Sequence, residues 1–212
     1  MSTVLVYGDS NSFGTPPIEI MGEDRRFDKS HRWPFVMADA LGDNVDVISE
    51  ALPGRTTVHD DMIEGGARNG LTVLPAVLMS HKPLDAVLLM LGTNDLKTRF
   101  SVTAWEIARS LERLVGDIRS LQPQARICVI APVDVKEVGT LAPVFQGAEQ
   151  RQTDLARLIK EMSLRANVHF VDANDYVSVS EIDGVHWDAD MHVVFGRAMA
   201  PHVNTILGDR FE

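Results

Sequence analysis

The sequence is poor in cysteine, basic residues and long apolar runs. Its 212 residues include one cysteine, Cys128, so no internal disulfide can form. A cysteine-built zinc or iron–sulfur site is excluded on the same count. Cys128 sits in the apolar run 127–131, where a buried, inert thiol is expected. The longest clean apolar stretch, 86–91, is far short of the ~20 residues that span a membrane. The first seven residues lack a basic cluster and run into Gly8-Asp9-Ser10 too soon for a secretion signal. A cytoplasmic protein is expected. Lys plus Arg number 20 against 30 Asp plus Glu, a formal charge of −10. A chain this acidic repels nucleic-acid phosphates and anionic lipid, so neither nucleic acid nor membrane is expected as a partner.

What is present describes an ordinary globular chain. Apolar residues make up 45% and charged residues 24%, enough apolar side chain for a packed core. The length fits one domain, 1–212. Short apolar or alternating runs at 3–7, 45–49, 86–91, 127–131 and 168–171 each end in turn residues and predict five buried strands. Apolar residues at three- and four-residue spacing predict helices over 32–41, 71–81, 102–121, 146–165 and 190–207. Strand and helix alternate, which gives an α/β fold with a parallel sheet covered on both faces. Three long loops remain, 15–29, 55–70 and 133–145, and long loops in a compact domain tend to carry function.

Ligands of open α/β sheets bind beyond the carboxyl ends of the strands. Four segments are expected to converge there: Gly8-Asp9-Ser10, Pro53-Gly54-Arg55, Gly92-Thr93-Asn94-Asp95 and Asp183-Gly184-Val185-His186. Ser10 at a strand-to-helix turn offers an exposed hydroxyl. His186 is a candidate base, with Asp183 three residues earlier to orient its ring. The Ser10 and Gly54 backbone N–H groups and the Asn94 side chain supply three donors for a developing oxyanion. Each residue alone has a plainer reading as turn, cap or surface histidine, and Asp95 reads as a cap or scaffold residue.

These four blocks, in this order and at strand ends, resemble those of the SGNH (GDSL-type) hydrolases, with Asn11 where the family name expects Leu. Arg32-Trp33, Arg55-Thr56-Thr57, Met90-Leu91-Gly92-Thr93-Asn94-Asp95 and Gly147-Ala148-Glu149-Gln150 resemble its bacterial arylesterase/acyltransferase branch. The resemblance implies a flavodoxin-like three-layer α/β/α sandwich with a five-stranded parallel sheet. It implies hydrolysis of short-chain esters through an acyl-enzyme, with acyl transfer to alcohols as an option. Ser10 would be the nucleophile, His186 the general base and Asp183 its orienting partner. Ser10, Gly54 and Asn94 would form the oxyanion hole. No metal or organic cofactor is implied. A small-molecule ester is the implied partner, along with further copies of the chain whose loops narrow the active-site mouth. Phe145 and Trp187 are expected as walls of the substrate pocket.

Rival readings are weaker on the residues. His186-Trp187-Asp188-Ala189-Asp190-Met191-His192 and His59-Asp60-Asp61 hold metal-ligand residue types. The first run has no i, i+4 histidine pair, and its aspartates suit a helix start. A nucleotide-binding module would need a glycine pattern or lysine that the loop 8–14 lacks. An α/β-hydrolase elbow requires Gly-x-Ser-x-Gly, and position 12 is Ser. An SGNH thioesterase or lysophospholipase acting on longer acyl chains is the enzymatic alternative.

Overall fold

The computed structural model describes residues 1–208. Strands β1 (Ser2–Gly8), β2 (Val45–Ala51), β3 (Ala86–Met90), β4 (Arg126–Ala131) and β5 (His169–Asp172) form one parallel sheet in the order β2-β1-β3-β4-β5. Helices α1 (Ser10–Phe13), α2 (Trp33–Leu41), α3 (Gly70–Ser80), α4 (Ala104–Leu121), α5 (Ala148–Arg151), α6 (Leu155–Ala166) and α7 (Ala189–Gly208) alternate with the strands, and short 3-10 turns lie in the connections. This is the three-layer α/β/α sandwich with a five-stranded parallel sheet that the sequence predicts.

The alternation of strand side chains builds two cores. Leu5, Tyr7, Val87, Leu89, Ile127 and Val129 face one way, toward α3, α4 and α6. Val4, Val6, Ala86, Leu88, Cys128 and Ile130 face the other, toward Trp33 and Met37 of α2 and Phe195, Met199 and Val203 of α7. Burial of the central strands on both faces explains why β3 and β4 read as unbroken apolar runs, whereas the edge strands β2 and β5 are only partly buried, which corrects the expectation of five buried strands. Burial also pushes the Cys128 thiol up to about 12, so it stays protonated and inert.

Helix starts follow local chemistry. Thr103 and Glu106 form a reciprocal cap at the start of α4: the Glu106 N–H donates to Thr103 Oγ1 at 3.3 Å, and the Thr103 N–H donates to Glu106 at 2.8 Å. The stretch 146–165 corrects the sequence expectation, because it is two helices with a break at 152–154. Gln152 is turned inward. Its Oε1 accepts the Val135 N–H and its Nε2 donates to the Val135 carbonyl, both at 2.9 Å. The amide thus completes the backbone of the 133–145 loop, and Asp154 takes φ +68° to restart the helix.

The chain leaves β1 toward β2 on one side and later returns to place β3 on the other side of β1. That reversal opens a crevice above the carboxyl ends of β1 and β3.

Candidate active site

Ser10 follows β1 as the first residue of α1. The Asp9 carboxylate accepts the Asn11 N–H at 3.0 Å, and Gly14 closes the helix at φ +90°. A first-turn N–H has no carbonyl partner within its helix and stays available to a ligand. Burial pushes the Asp9 carboxyl up to about 6, against the pull of the Asn11 N–H. Gly54 sits at the third position of the turn Leu52-Pro53-Gly54-Arg55, which the Arg55 N–H closes onto the Leu52 carbonyl at 3.1 Å. Its φ of +78° is the conformation that this Pro-Gly turn requires. The Arg55 guanidinium lies over the Tyr7 ring at 4.1 Å and donates to the Gly8 carbonyl at 3.0 Å, pinning the turn to β1.

Asn94 follows β3 and donates its side-chain amide to the Arg55 carbonyl at 3.1 Å. Asp95, fully buried, accepts the Thr57 N–H at 3.0 Å and also the Thr57 hydroxyl. Burial pushes its carboxyl up to about 6, against the Thr57 donors. Asp95 is therefore a scaffold residue that fastens the turn after β2 to the turn after β3.

His186 and Asp183 share one tight turn before α7. Asp183 Oδ1 accepts the N–H groups of Val185 and His186, each at 2.9 Å. Asp183 Oδ2 meets His186 Nδ1 at 2.6 Å. Burial pushes the Asp183 carboxyl up, but His186 and the surrounding N–H donors outweigh it and hold the group below its usual range. An ionised carboxylate only accepts, so His186 Nδ1 carries the hydrogen of this bond, and in the neutral ring that tautomer leaves the lone pair on Nε2. Asn11 Nδ2 donates to the Val185 carbonyl at 3.1 Å and ties this turn to the Ser10 helix.

Ser10, Gly54, Asn94 and His186 line one pocket of about 180 Å³. Phe145, Val144, Leu141, Ile18 and Met21 give it an apolar side, and Glu64, Arg68 and Lys97 a charged one. Phe145 stands where a pocket wall is expected. Trp187 does not: it is fully buried on the other face of the turn, against Phe195 and His192, with ring centroids 5.1 and 5.2 Å away. Adjacent residues in a turn point apart, which sequence proximity to His186 conceals. The charged wall and the Asn11 bond are contacts between distant segments and carry no sequence signal. Among the described residues, no cluster of three or more His, Cys, Asp or Glu is arranged to hold a metal ion. His59 stacks on Phe100, and Asp61 pairs with Lys97 and Arg99.

The sequence profile of the GDSL-like Lipase/Acylhydrolase family matches residues 6–193. The chain belongs to this family. With that membership it is a carboxylic ester hydrolase of the SGNH type. Solved relatives share its fold end to end. Est24, a carbohydrate acetylesterase from Sinorhizobium meliloti, is 34% identical with a TM-score of 0.93, over 97% of this chain and 99% of that one. A further carbohydrate acetylesterase family member from Sinorhizobium meliloti is 36% identical with a TM-score of 0.91, over 99% and 100% of the two chains. The aryl esterase of M. smegmatis is 32% identical with a TM-score of 0.90, over 97% and 100%. Among curated proteins none matches. No helix of the described residues of this SGNH hydrolase is long and apolar enough to cross a membrane.

Proposed function

We propose that the protein is a serine esterase that hydrolyses short-chain, acetyl-type esters of aryl, alkyl or sugar alcohols through an acyl-enzyme. The observation that carries this reading is the Asp183–His186 pair at 2.6 Å beside a small pocket shared by Ser10, Gly54 and Asn94. His186 Nε2 takes the proton of Ser10 as its Oγ attacks the ester carbonyl. The carbonyl oxygen becomes an oxyanion held by the N–H groups of Ser10 and Gly54 and by Asn94 Nδ2. The tetrahedral intermediate collapses, and the alcohol leaves with the proton from His186. Water then attacks the acyl-enzyme, His186 takes its proton, and the acid leaves with Ser10 restored. No metal or organic cofactor takes part.

The pocket supports short acyl groups, since about 180 Å³ is small beside the roughly 300–1,000 Å³ of sites for drug-sized ligands. Its charged wall supports water as the acceptor over an alcohol, because Glu64, Arg68 and Lys97 keep that side polar. Ile20, Met21, Met62 and Ile63 are 60–88% exposed on the 15–29 and 55–70 loops at the mouth, which supports a homo-oligomer that covers them. Sedimentation of wild type against Met62→Glu tests that assembly. A monomeric wild type sinks it.

Hydrolysis of nitrophenyl esters from acetate to decanoate, with Ser10→Ala as control, tests the activity. Turnover concentrated on the shortest chains and lost in Ser10→Ala is expected. A long-chain optimum moves the assignment to a thioesterase or lysophospholipase. Full turnover in Ser10→Ala ends the mechanism.

A further inference from the structure

Asp183 receives four donors, and they divide by origin. Oδ1 is used inside its own turn, by the Val185 and His186 N–H groups. Oδ2 takes the His186 ring N–H at 2.6 Å and the backbone N–H of Ile18 at 2.7 Å. Ile18 is 165 residues away in sequence, in the 15–29 loop that rims the pocket. The Pro17–Ile18 peptide is held from both ends, because the Pro17 carbonyl accepts from Arg25 at 3.4 Å while the Ile18 N–H donates to Asp183. Pro16 and Pro17 restrict the backbone just before it. The same short stretch sends Ile18, Met21, Glu23 and Asp24 to the pocket lining.

We propose that the Ile18 N–H is a positioning group of the triad, so that the 15–29 loop must be seated before His186 acts as a base. The inference rests on the esterase reading above and adds a regulator of its rate. A carboxylate oxygen held by one donor can swivel about its side-chain bond. Beside the two turn N–H groups on Oδ1, the Ile18 N–H is a second, charge-assisted donor on Oδ2 that fixes this oxygen, and with it the imidazole that leans on it. Misplacing a reacting group by about 1 Å costs on the order of 10²-fold in rate. The loop thereby links substrate size to turnover. An ester too large to lie beneath Ile18 and Met21 lifts the loop, breaks the bond to Asp183 and loses kcat as well as affinity. A short ester leaves the loop seated.

Two variants separate the N–H from the side chain. Ile18→Pro removes the donor, and Ile18→Ala keeps it while trimming the pocket contact. On nitrophenyl acetate both variants lose the isoleucine side chain and are expected to change KM alike, while Ile18→Pro alone lowers kcat, about 10- to 100-fold. Ile18→Ala is expected to keep kcat and change KM. Equal kcat in the two variants overturns the proposal. Should Ile18→Pro fail to fold, the wild-type amide decides. Its proton should lie downfield of the other loop amides by NMR, exchange more slowly, and move when Asp183→Asn removes the carboxylate charge. An Ile18 amide that exchanges as fast as its loop neighbours also overturns the proposal. A wild type inactive on every ester breaks the esterase reading and leaves the NMR result intact, so the two failures are distinguishable.

Discussion

Asn94 donates one side-chain N–H to the Arg55 carbonyl at 3.1 Å, and so joins the turn after β3 to the turn that presents Gly54. The amide has two hydrogens. One is spent on the scaffold and the other is left for the pocket that Asn94 lines. Asn94→Ala removes both roles at once. Turnover is expected to fall about 10²–10³-fold, with KM nearly unchanged, because the pocket donor acts on charge that develops in the transition state. Steady-state kinetics on a short ester checks this. A rise in KM at constant kcat would make Asn94 a substrate clamp instead.

Gly184 lies between Asp183 and His186 at φ +75°, and a Cβ there would stand 2.1 Å from the Lys136 carbonyl oxygen. That oxygen is backbone and cannot swing aside. The Gly184 carbonyl also accepts the Lys136 N–H at 2.8 Å, so the two loops touch main chain to main chain. Gly184→Ala is expected to cost at least the roughly 1–2 kcal/mol of left-handed strain, and more for the clash. At about 2–4 °C per kcal/mol, a loss of several degrees in Tm is expected, with most activity. Gly116, in α4, is the control, since a Cβ there meets open space. Gly116→Ala is expected to gain about 0.5–1 kcal/mol with activity intact. Thermal melts and ester turnover on both variants check the pair.

The central strands were legible because burial on both faces demands apolar residues along their length. β3 and β4 announce themselves for that reason. The Asp183–His186 pair was legible because both residues sit in one turn, where three-residue spacing is itself the geometry. Phe145 was reachable from its place in a long loop. The break at 152–154 was not, since the apolar stripe of α6 extends backward in register while the cause lies in a Gln152–Val135 contact. Trp187 misleads because neighbours in a turn face opposite ways. The Ile18–Asp183 bond is beyond any sequence pattern, since a backbone N–H leaves no mark on residue type.

Lys97 is buried with Asp61, at 3.4 Å, while its other partner, Glu64, at 2.6 Å, reaches the pocket. Arg99 holds the same two carboxylates at 3.1 and 3.0 Å. Burial pushes the Asp61 carboxyl up, but the Glu64 N–H, Lys97 and Arg99 prevail and hold it below its usual range. Lys97→Met leaves a buried carboxylate with one cation instead of two. A loss of about 1–3 kcal/mol is expected by urea denaturation, with Asp61→Asn in the same chain restoring part of it. Additive losses in the double variant would show that the two side chains do not act as a pair.

His192 is fully buried between Trp187 and Phe27, with ring centroids 5.2 and 5.5 Å away. Neither ring nitrogen has a hydrogen-bond partner among the described residues. Burial pushes the imidazole down to about 3, and the neighbouring His186 and His31 act in the same direction. An unfolded histidine titrates near 6.5. Between roughly pH 3 and 6.5 the unfolded chain therefore holds a proton that the folded chain lacks, and stability falls as pH falls, by up to about 1.4 kcal/mol per pH unit. Above that window His192 contributes no slope. Asp9 and Asp95, both pushed up to about 6, have the opposite sign, because they take up protons more readily when folded. Their effect is common to wild type and His192→Leu and cancels in the difference. That difference, from urea denaturation at pH 5 and pH 7.5, should shift by roughly 2 kcal/mol in favour of the variant at the lower pH. A difference that does not change with pH would mean that His192 keeps its proton in the folded protein. A buried imidazolium needs an acceptor, and the aromatic walls around His192 offer none.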